Sequence, residues 1–292
     1  MSFDAFVQAA WAEHGDAAQA VADRLAASTT LVTTPNQVAP YAALIAHVCG
    51  EHLGAWDQGL ELLALLRAAP ASAGDADAQA ALDRQAAALH YGKGDTHAFE
   101  ALPSSEQLAA PAVAAAMLCG RKQWTRAIVA FDAAMHRAGE GVPAASKANR
   151  ALAVMGNNLA AALEEKTDRD VDQTRAMLAA AHVGLKYWRV AGTWLEEERA
   201  FYQLARCCAR AGDAAAALHS AQQCIAVCEA NAAPAFERFF GHAVLALAHR
   251  AGGDAAGFNA ARAHARRWFE QVAPDERSAC EADLAALSPS VS

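Results

Sequence analysis

Five side chains of the kinds that bind zinc are concentrated in a short part of the sequence. Cys224 and Cys228 are four residues apart, which places them on one face of a helix, and Cys207, Cys208 and His219 belong to the same predicted hairpin. The Cys-x-x-Cys knuckles of structural zinc sites are missing, and cysteine is a common small core residue in close-packed helices. The odd total of seven cysteines also lacks a disulfide framework. We therefore predict reduced, buried thiols and no metal site.

The histidines and one acidic run form a second group of possible cation ligands. We find no paired constellation of His47 and His52, or of His242 and His249, with acidic residues at i, i+4 spacing, and so predict surface or packing histidines. Three successive glutamates at 196–198 point in different directions on a helix. A solvated helix N-terminus, favoured by the helix dipole, explains them better, and the sequence predicts no cofactor.

Catalytic signatures are missing from the sequence. There is no G-x-S-x-G elbow, no H-E-x-x-H motif and no phosphate loop that ends in Gly-Lys-Ser or Gly-Lys-Thr. The string Gly92–Thr96 superficially suggests a nucleotide loop, but it lacks a preceding strand and the full glycine spacing, which favours a turn. We therefore predict a protein that is not an enzyme.

One helix face combines arginine with tyrosine. Spacings of three, four and four residues align Arg199, Tyr202, Arg206 and Arg210. Guanidinium groups match carboxylates in a bidentate fork, so this face is suited to an acidic ligand. Alternatively, the arginines pair with neighbouring acids and merely keep the surface soluble; the candidate partners are Glu197, Glu198 and Glu237.

The elements that must position these side chains are helical hairpins with a recurring pattern. A turn glycine is followed five residues later by a small residue, then by a bulky apolar one, and a proline ends the pair. The matches are Gly54 with Gly59, Gly15 with Ala20, and Gly212 with Ala217. A fourth hairpin has Lys122 at the turn, Ala127 as the small residue and Phe131 as the bulky one.

Three further hairpins fit this pattern less closely. Turns at Gly94 and Gly253 are followed by Phe99 and Phe258 at the small-residue position, and a hairpin over 144–186 has a longer polar connection at 166–170. Neighbouring turns are separated by 39, 40 and 41 residues where they are comparable. Prolines follow the inferred second helices at Pro35, Pro70, Pro103, Pro143, Pro234 and Pro274.

Together these features resemble the tetratricopeptide repeat pattern over roughly residues 2–272. The resemblance implies an all-α, right-handed superhelical solenoid of about seven antiparallel helix hairpins, without strands. We predict one repeat domain at 2–287, a capping helix at 274–287 and a frayed tail at 288–292. The capping helix carries acidic residues on one side, namely Asp275, Glu276, Glu281 and Asp283.

In tetratricopeptide arrays the first helix of each pair lines the concave face, which implies a binding groove here. Aligning Gly156 with Ala205 sets Arg150 beside Arg199 and Asn157 beside Arg206, while the next first helix adds Phe240 and Arg250. The predicted groove residues are Arg150, Asn157, Arg199, Tyr202, Arg206, Arg210 and Phe240. The expected ligand is a protein or peptide with an acidic segment or a C-terminal carboxylate. The lysine and asparagine clamp of chaperone-tail receptors is not reproduced.

Composition restricts the classes of partner. A formal net charge of −8 and a pI near 5.7 argue against a broad nucleic-acid surface. No signal sequence is evident, and no apolar run reaches the roughly 18 residues of a membrane span, so we expect a cytoplasmic protein. A protein-binding scaffold is the leading prediction. The alternative is a helical enzyme or small-ligand sensor with a site assembled from several repeats.

Overall fold

The computed structural model describes residues 1–139 and 141–288, and all regular structure in those ranges is helical, as predicted. Thirteen α-helices occur in the described residues: α1 Phe3–Ser28, α2 Pro35–Ala46, α3 Trp56–Ala68, α4 Ala76–Lys93, α5 Ser104–Gly120, α6 Trp124–Ala138, α7 Ala148–Glu165, α8 Val171–Ala191, α9 Trp194–Arg210, α10 Ala214–Ala230, α11 Ala235–Ala251, α12 Ala255–Phe269 and α13 Arg277–Ala286. A π-helical segment, His47–Leu53, directly follows α2. Among the described helices, none has both the length and the apolar character needed to span a membrane.

The chain divides into two compact units, Met1–Met155 and Gly156–Ser292. In the first unit, α5 packs against α6, and α4 packs against α2, α3 and α5. In the second unit, α9 packs against α10 and α11 packs against α12, and α9 and α11 also contact each other. The single domain at 2–287 stays a prediction.

The predicted turn residues have the backbone conformation that hairpins require. Gly54, Gly94, Gly212 and Gly253 have positive φ angles, and so does Lys122 at the turn between α5 and α6. Positive φ is costly for most residues and nearly free for glycine, which is why the turns could be recognised locally.

One predicted hairpin has a displaced turn, and another is not formed. The first lies within α1: Gly15 does not adopt positive φ, and the helix is broken instead at Ala17, where φ is −135° and ψ is 42°. Phe6 and the Leu25 carbonyl both contact Tyr41, at 6.0 Å between ring centroids and 2.6 Å from its hydroxyl, whereas a straight helix would hold Phe6 and Leu25 about 28 Å apart, so the chain reverses between them. After Gly94, the chain makes turns up to Pro103, a span too short for a stable helix. Phe99 is buried there and stacks on Tyr91, with 4.8 Å between ring centroids.

The second unit contains the most regular pair of hairpins. Asp213 caps α10 by accepting a hydrogen bond from Ala216 N, and Asp254 caps α12 by accepting one from Gly257 N. The final helix, α13, packs on α11 and α12. It begins at Arg277, three residues after the predicted start. Of the predicted frayed tail, Ser288 is described, and residues 289–292 lie outside the described part of the chain.

Candidate functional site

The arginine face predicted on α9 contains an ion-pair network centred on Arg206. Arg206 Nη2 lies 3.1 Å from Glu164 Oε2 on α7, and its Nη1 lies 3.2 Å from Asp283 Oδ1 on α13. The same Nη1 donates to Tyr202 Oη at 2.8 Å, and Tyr202 Oη donates to Asp283 Oδ1 at 2.6 Å. Arg210 Nε donates to Glu164 Oε1 at 2.8 Å. The network therefore joins α9 and α13 to the C-terminal part of α7, all within the second unit.

The ion-pair network is largely buried, so it contributes to the packing of the helices. The side chains of Glu164 and Asp283 are only 4% and 7% exposed, and that of Arg206 is 24% exposed. Burial alone lowers the pKa of Arg206, but the neighbouring Tyr202 and Glu164 outweigh it and raise the pKa. Burial, and then the charge of Asp283, raise the pKa of Tyr202, so its hydroxyl remains a donor. Arg206 thus stays cationic between two buried carboxylates.

A cavity of about 370 Å³ adjoins the network. It is lined by Glu164, Arg206, Ala209, Arg210, Leu247, Arg250, Ala251, Ala282 and Ala286. Arg250 lies over the Phe258 ring at 5.2 Å and donates to the Ser288 carbonyl at 3.4 Å. Among the described residues Arg250 forms no ion pair with a carboxylate. Three guanidinium groups therefore line this cavity with one carboxylate, that of Glu164, and Asp283 pairs with Arg206 without lining the cavity.

A second cavity, of about 340 Å³, lies against the other end of the same face. Tyr202 and Phe240 meet edge to face there, with 5.5 Å between ring centroids. Arg199 Nη2 lies 2.6 Å from Glu237 Oε1. The full lining is Asn157, Glu198, Arg199, Tyr202, Gln203, Phe236, Glu237 and Phe240.

Glu198 is a buried acid at this second cavity. Its Oε1 accepts a hydrogen bond from Cys224 Sγ at 2.9 Å, while its buried Oε2 has no donor directed at it. Burial, with a smaller contribution from the adjacent Glu237, raises the pKa of Glu198 to about 8. Glu198 is therefore predominantly protonated at neutral pH.

The predicted groove residues are only partly brought together. Tyr202, Arg206 and Arg210 join the Arg206 network, whereas Asn157, Arg199 and Phe240 line the second cavity together with Tyr202. Arg150 lies on α7 in the first unit and lines neither cavity.

The carboxylate partners of the arginines were mostly missed. Glu237 is the predicted partner that pairs with Arg199, whereas Glu197 pairs with Arg189. Asp283 was expected on the acidic side of the capping helix, but it is buried on the same face as Cys280 and Leu287. These three residues follow i, i+3, i+7 spacing, a signal that marks the packed face of a helix.

The cysteines and His47 are the remaining candidates for metal ligands. All seven cysteines are buried and unbridged, as predicted. Burial raises the pKa of Cys49 and of Cys119 to about 12, which keeps both as neutral thiols. The prediction that His47 lacks an acidic neighbour at i, i+4 is wrong, because His47 Nδ1 lies 2.8 Å from Glu51 Oε2.

Comparison with known proteins does not assign the chain to a family. No protein-family model matches it, and none of the curated proteins is similar to it. Function must therefore be inferred from the side chains and their surroundings.

Proposed function

We propose that the chain is a tetratricopeptide-like scaffold, with the right-handed superhelical hairpin array of that family, whose second unit binds an acidic segment of a partner protein. The hairpins α9/α10 and α11/α12 support the proposal, because their left-handed turn glycines are 41 residues apart and each second helix is capped by aspartate. The first helices, α9 and α11, carry the arginines that line both cavities and the aromatic residues that line the cavity of about 340 Å³.

The observation that carries this proposal is the excess of arginine at the cavity of about 370 Å³. Arg250 has no carboxylate partner among the described residues, and the Arg210 side chain is 61% exposed. Its partner Glu164 also pairs with Arg206, so this carboxylate keeps one cation when Arg210 turns toward a ligand. An acidic side chain in the cavity would meet two guanidinium groups and an apolar wall.

The chain already contains an example of such recognition. Asp283 on α13 accepts hydrogen bonds from the hydroxyl of Tyr202 and from the guanidinium of Arg206. A partner carboxylate in the cavity of about 370 Å³ would use the same kind of charge-assisted hydrogen bond to a guanidinium. This arrangement best supports a scaffold that binds acidic residues of a partner protein.

Fluorescence anisotropy tests the proposal with a labelled glutamate-rich peptide and its glutamine counterpart. We expect the parent chain to prefer the glutamate peptide, and the preference to weaken as salt rises, because surface charges are screened beyond about 8 Å at physiological ionic strength. The double variant Arg210→Glu/Arg250→Glu should bind the glutamate peptide at least about tenfold more weakly, equivalent to about 1.4 kcal/mol.

The matched control is Arg266→Glu/Arg267→Glu, which makes the same change of charge on two exposed residues of the outer helix α12. It should retain the parent affinity. Equal losses in the two double variants would show that only net charge matters. Equal binding of the two peptides by the parent would refute recognition of acidic residues.

A second candidate, a small-ligand sensor or enzyme, is favoured by Glu198 at the cavity of about 340 Å³. A neutral carboxyl group with a pKa near the working pH is suited to hydrogen bonding or proton transfer. Native mass spectrometry of the purified chain distinguishes the candidates. A bound metabolite that is lost in Glu198→Ala favours the sensor or enzyme, whereas unmodified mass with retained peptide binding favours the scaffold.

A further inference from the structure

Three histidines of the first unit converge where α1 meets the π-helical segment. His14 lies on α1, and His47 and His52 lie near the two ends of the segment. One ligand nitrogen from each residue falls within 4.8 Å of the other two, and His47 Nε2 is 3.1 Å from His52 Nε2. The ring centroids are 4.7–4.8 Å apart in all three pairs. All three residues are partly exposed.

The π-helical segment is what brings His47 and His52 together. In an α-helix, five residues turn through about 500°, so these two side chains would point about 140° apart. The wider π turn, with i→i+5 hydrogen bonds, returns residue 52 to the side of residue 47. Short π-helical segments are rare and frequently occur at functional sites. Arg121 Nη1 fixes the end of the segment by donating to the His52 carbonyl at 2.7 Å.

Hydrogen bonds at the Nδ1 atoms of His14 and His47 leave their Nε2 lone pairs available to the three-histidine cluster. His14 Nδ1 lies 2.7 Å from the Trp11 carbonyl oxygen, which requires a proton on Nδ1. His47 Nδ1 lies 2.8 Å from Glu51 Oε2 and is a donor for the same reason. In the neutral form of both rings Nε2 then carries no proton, so His52 Nε2 donates to His47 Nε2 at 3.1 Å. Metal binding at His52 Nε2 must transfer that proton to His52 Nδ1 or to solvent. A carbonyl or carboxylate behind the ring is the usual outer partner of a metal-binding histidine.

We propose that the Nε2 atoms of His14, His47 and His52 bind one divalent transition-metal ion of the zinc class. Imidazole nitrogen suits zinc, copper, nickel and iron, and three protein ligands leave a fourth position for water or an external ligand. Glu51 supplies a negative charge behind His47, opposing the guanidinium charge of Arg121.

The spacing is compatible with this ion after small side-chain rotations. Zinc–nitrogen bonds of 2.0–2.1 Å in a tetrahedron separate the nitrogens by about 3.3 Å. The His47–His52 separation of 3.1 Å already agrees with this value. The His14 ring must approach by at most about 1.5 Å, the difference between 4.8 Å and that spacing. Trp11 lies beside both His14 and His47, at 5.1 Å and 4.9 Å between ring centroids.

The test uses the full chain after treatment with a chelator and dialysis. We expect calorimetric titration with Zn²⁺ to give one tight equivalent, and Co²⁺ to give the intense visible absorption of a four-coordinate site. His52→Gln and His14→Gln should each weaken binding at least tenfold. Glu51→Gln leaves all three ligands in place and should weaken binding about 10- to 100-fold through loss of the outer partner.

The matched control is His97→Gln, which removes an exposed imidazole that lies 2.7 Å from the Glu100 carboxylate. It should bind Zn²⁺ as the parent does. Circular dichroism of each variant distinguishes loss of a ligand from loss of folding, and Glu51→Gln serves where a histidine variant unfolds. Absence of a tight equivalent in the parent, or equal affinity in parent and His14→Gln, would overturn the proposal and leave a packing cluster.

Discussion

Replacing Arg206 with alanine tests whether the network on α9 holds the second unit together. The change removes the guanidinium that lies between Glu164 and Asp283, whose side chains are 4% and 7% exposed. Glu164 keeps Arg210 as a partner, and Asp283 keeps the hydroxyl of Tyr202. Neither carboxylate is therefore left without a donor, but both lose their most buried cation.

The expected loss follows from the cost of uncompensated buried charge. Removing one partner of a buried ion pair typically costs about 3 to 5 kcal/mol. Because Arg206 is itself 24% exposed and both carboxylates keep one donor, we expect the low end, about 3 kcal/mol. For a unit of this size, that corresponds to a fall in melting temperature of about 6 to 12 °C.

The measurement should follow the second unit specifically, since a chain with two compact units need not unfold in one step. Hydrogen exchange of α9, α11 and α13 in the parent and in Arg206→Ala gives the local free energy of opening. Arg266→Ala, on an exposed residue of α12, is the control and should change stability by less than about 0.5 kcal/mol.

A double-mutant cycle supplies the decisive comparison. Residues that share an ion pair show coupling of about 0.5 to 3 kcal/mol, so Arg206→Ala and Asp283→Asn should together cost less than the sum of the single changes. Additive effects, or a loss below about 1 kcal/mol for Arg206→Ala, would refute a structural role for the network. In that case Arg206 would be available to a ligand in the same way as Arg210.

Four other changes follow from the structure. Gly156→Ala should destabilise the chain by about 2 kcal/mol, because the added Cβ would lie 2.5 Å from Gly184 N. Gly15→Ala has open space around the added Cβ and should stabilise the chain by about 0.5 to 1 kcal/mol. Urea denaturation measures both changes. The folded pKa of Glu198 is above its ordinary 4.5, so its contribution to stability is complete below pH 4.5 and is lost as pH rises through about 8. Glu198→Gln should flatten the melting temperature over that window, and an unchanged slope would contradict the assignment. Burial, with the charges of its neighbours, lowers the pKa of His242 to about 4, so its contribution is complete above pH 6.5 and is lost as pH falls through 4. His242→Gln should weaken that acid destabilisation in melting curves recorded between pH 4 and 7.

The parts of the fold that the sequence predicted correctly depend on local chemistry. Gly212 and Gly253 mark turns because glycine accepts positive φ at almost no cost. Tyr202 and Arg206 were assigned to one face because helical periodicity is fixed within a few residues. Both kinds of signal can be read without knowing what lies elsewhere in the chain.

The errors concern features that depend on distant residues or on an unusual helix. Asp283 is 77 residues from Arg206, so only the packing of α13 on α11 and α12 makes it a partner. The His47–His52 contact depends on a π-helical segment, which has no reliable signal in a single sequence. At Phe99, the repeat pattern predicts a second helix, whereas the local sequence favours a series of turns.

The separation between Arg206 and Asp283 also affects how the chain folds during its synthesis. At about 5 to 20 residues per second, a ribosome needs roughly 4 to 15 s to add the 77 residues between them. During that interval Arg206 and Tyr202 lack their carboxylate acceptor on α13, and the surfaces of α11 and α12 that Cys280 and Leu287 will cover remain open. The second unit can therefore complete its packing only after α13 has been synthesised, and until then the apolar side chains on α11 and α12 that pack against α13 can contact other unfolded chains.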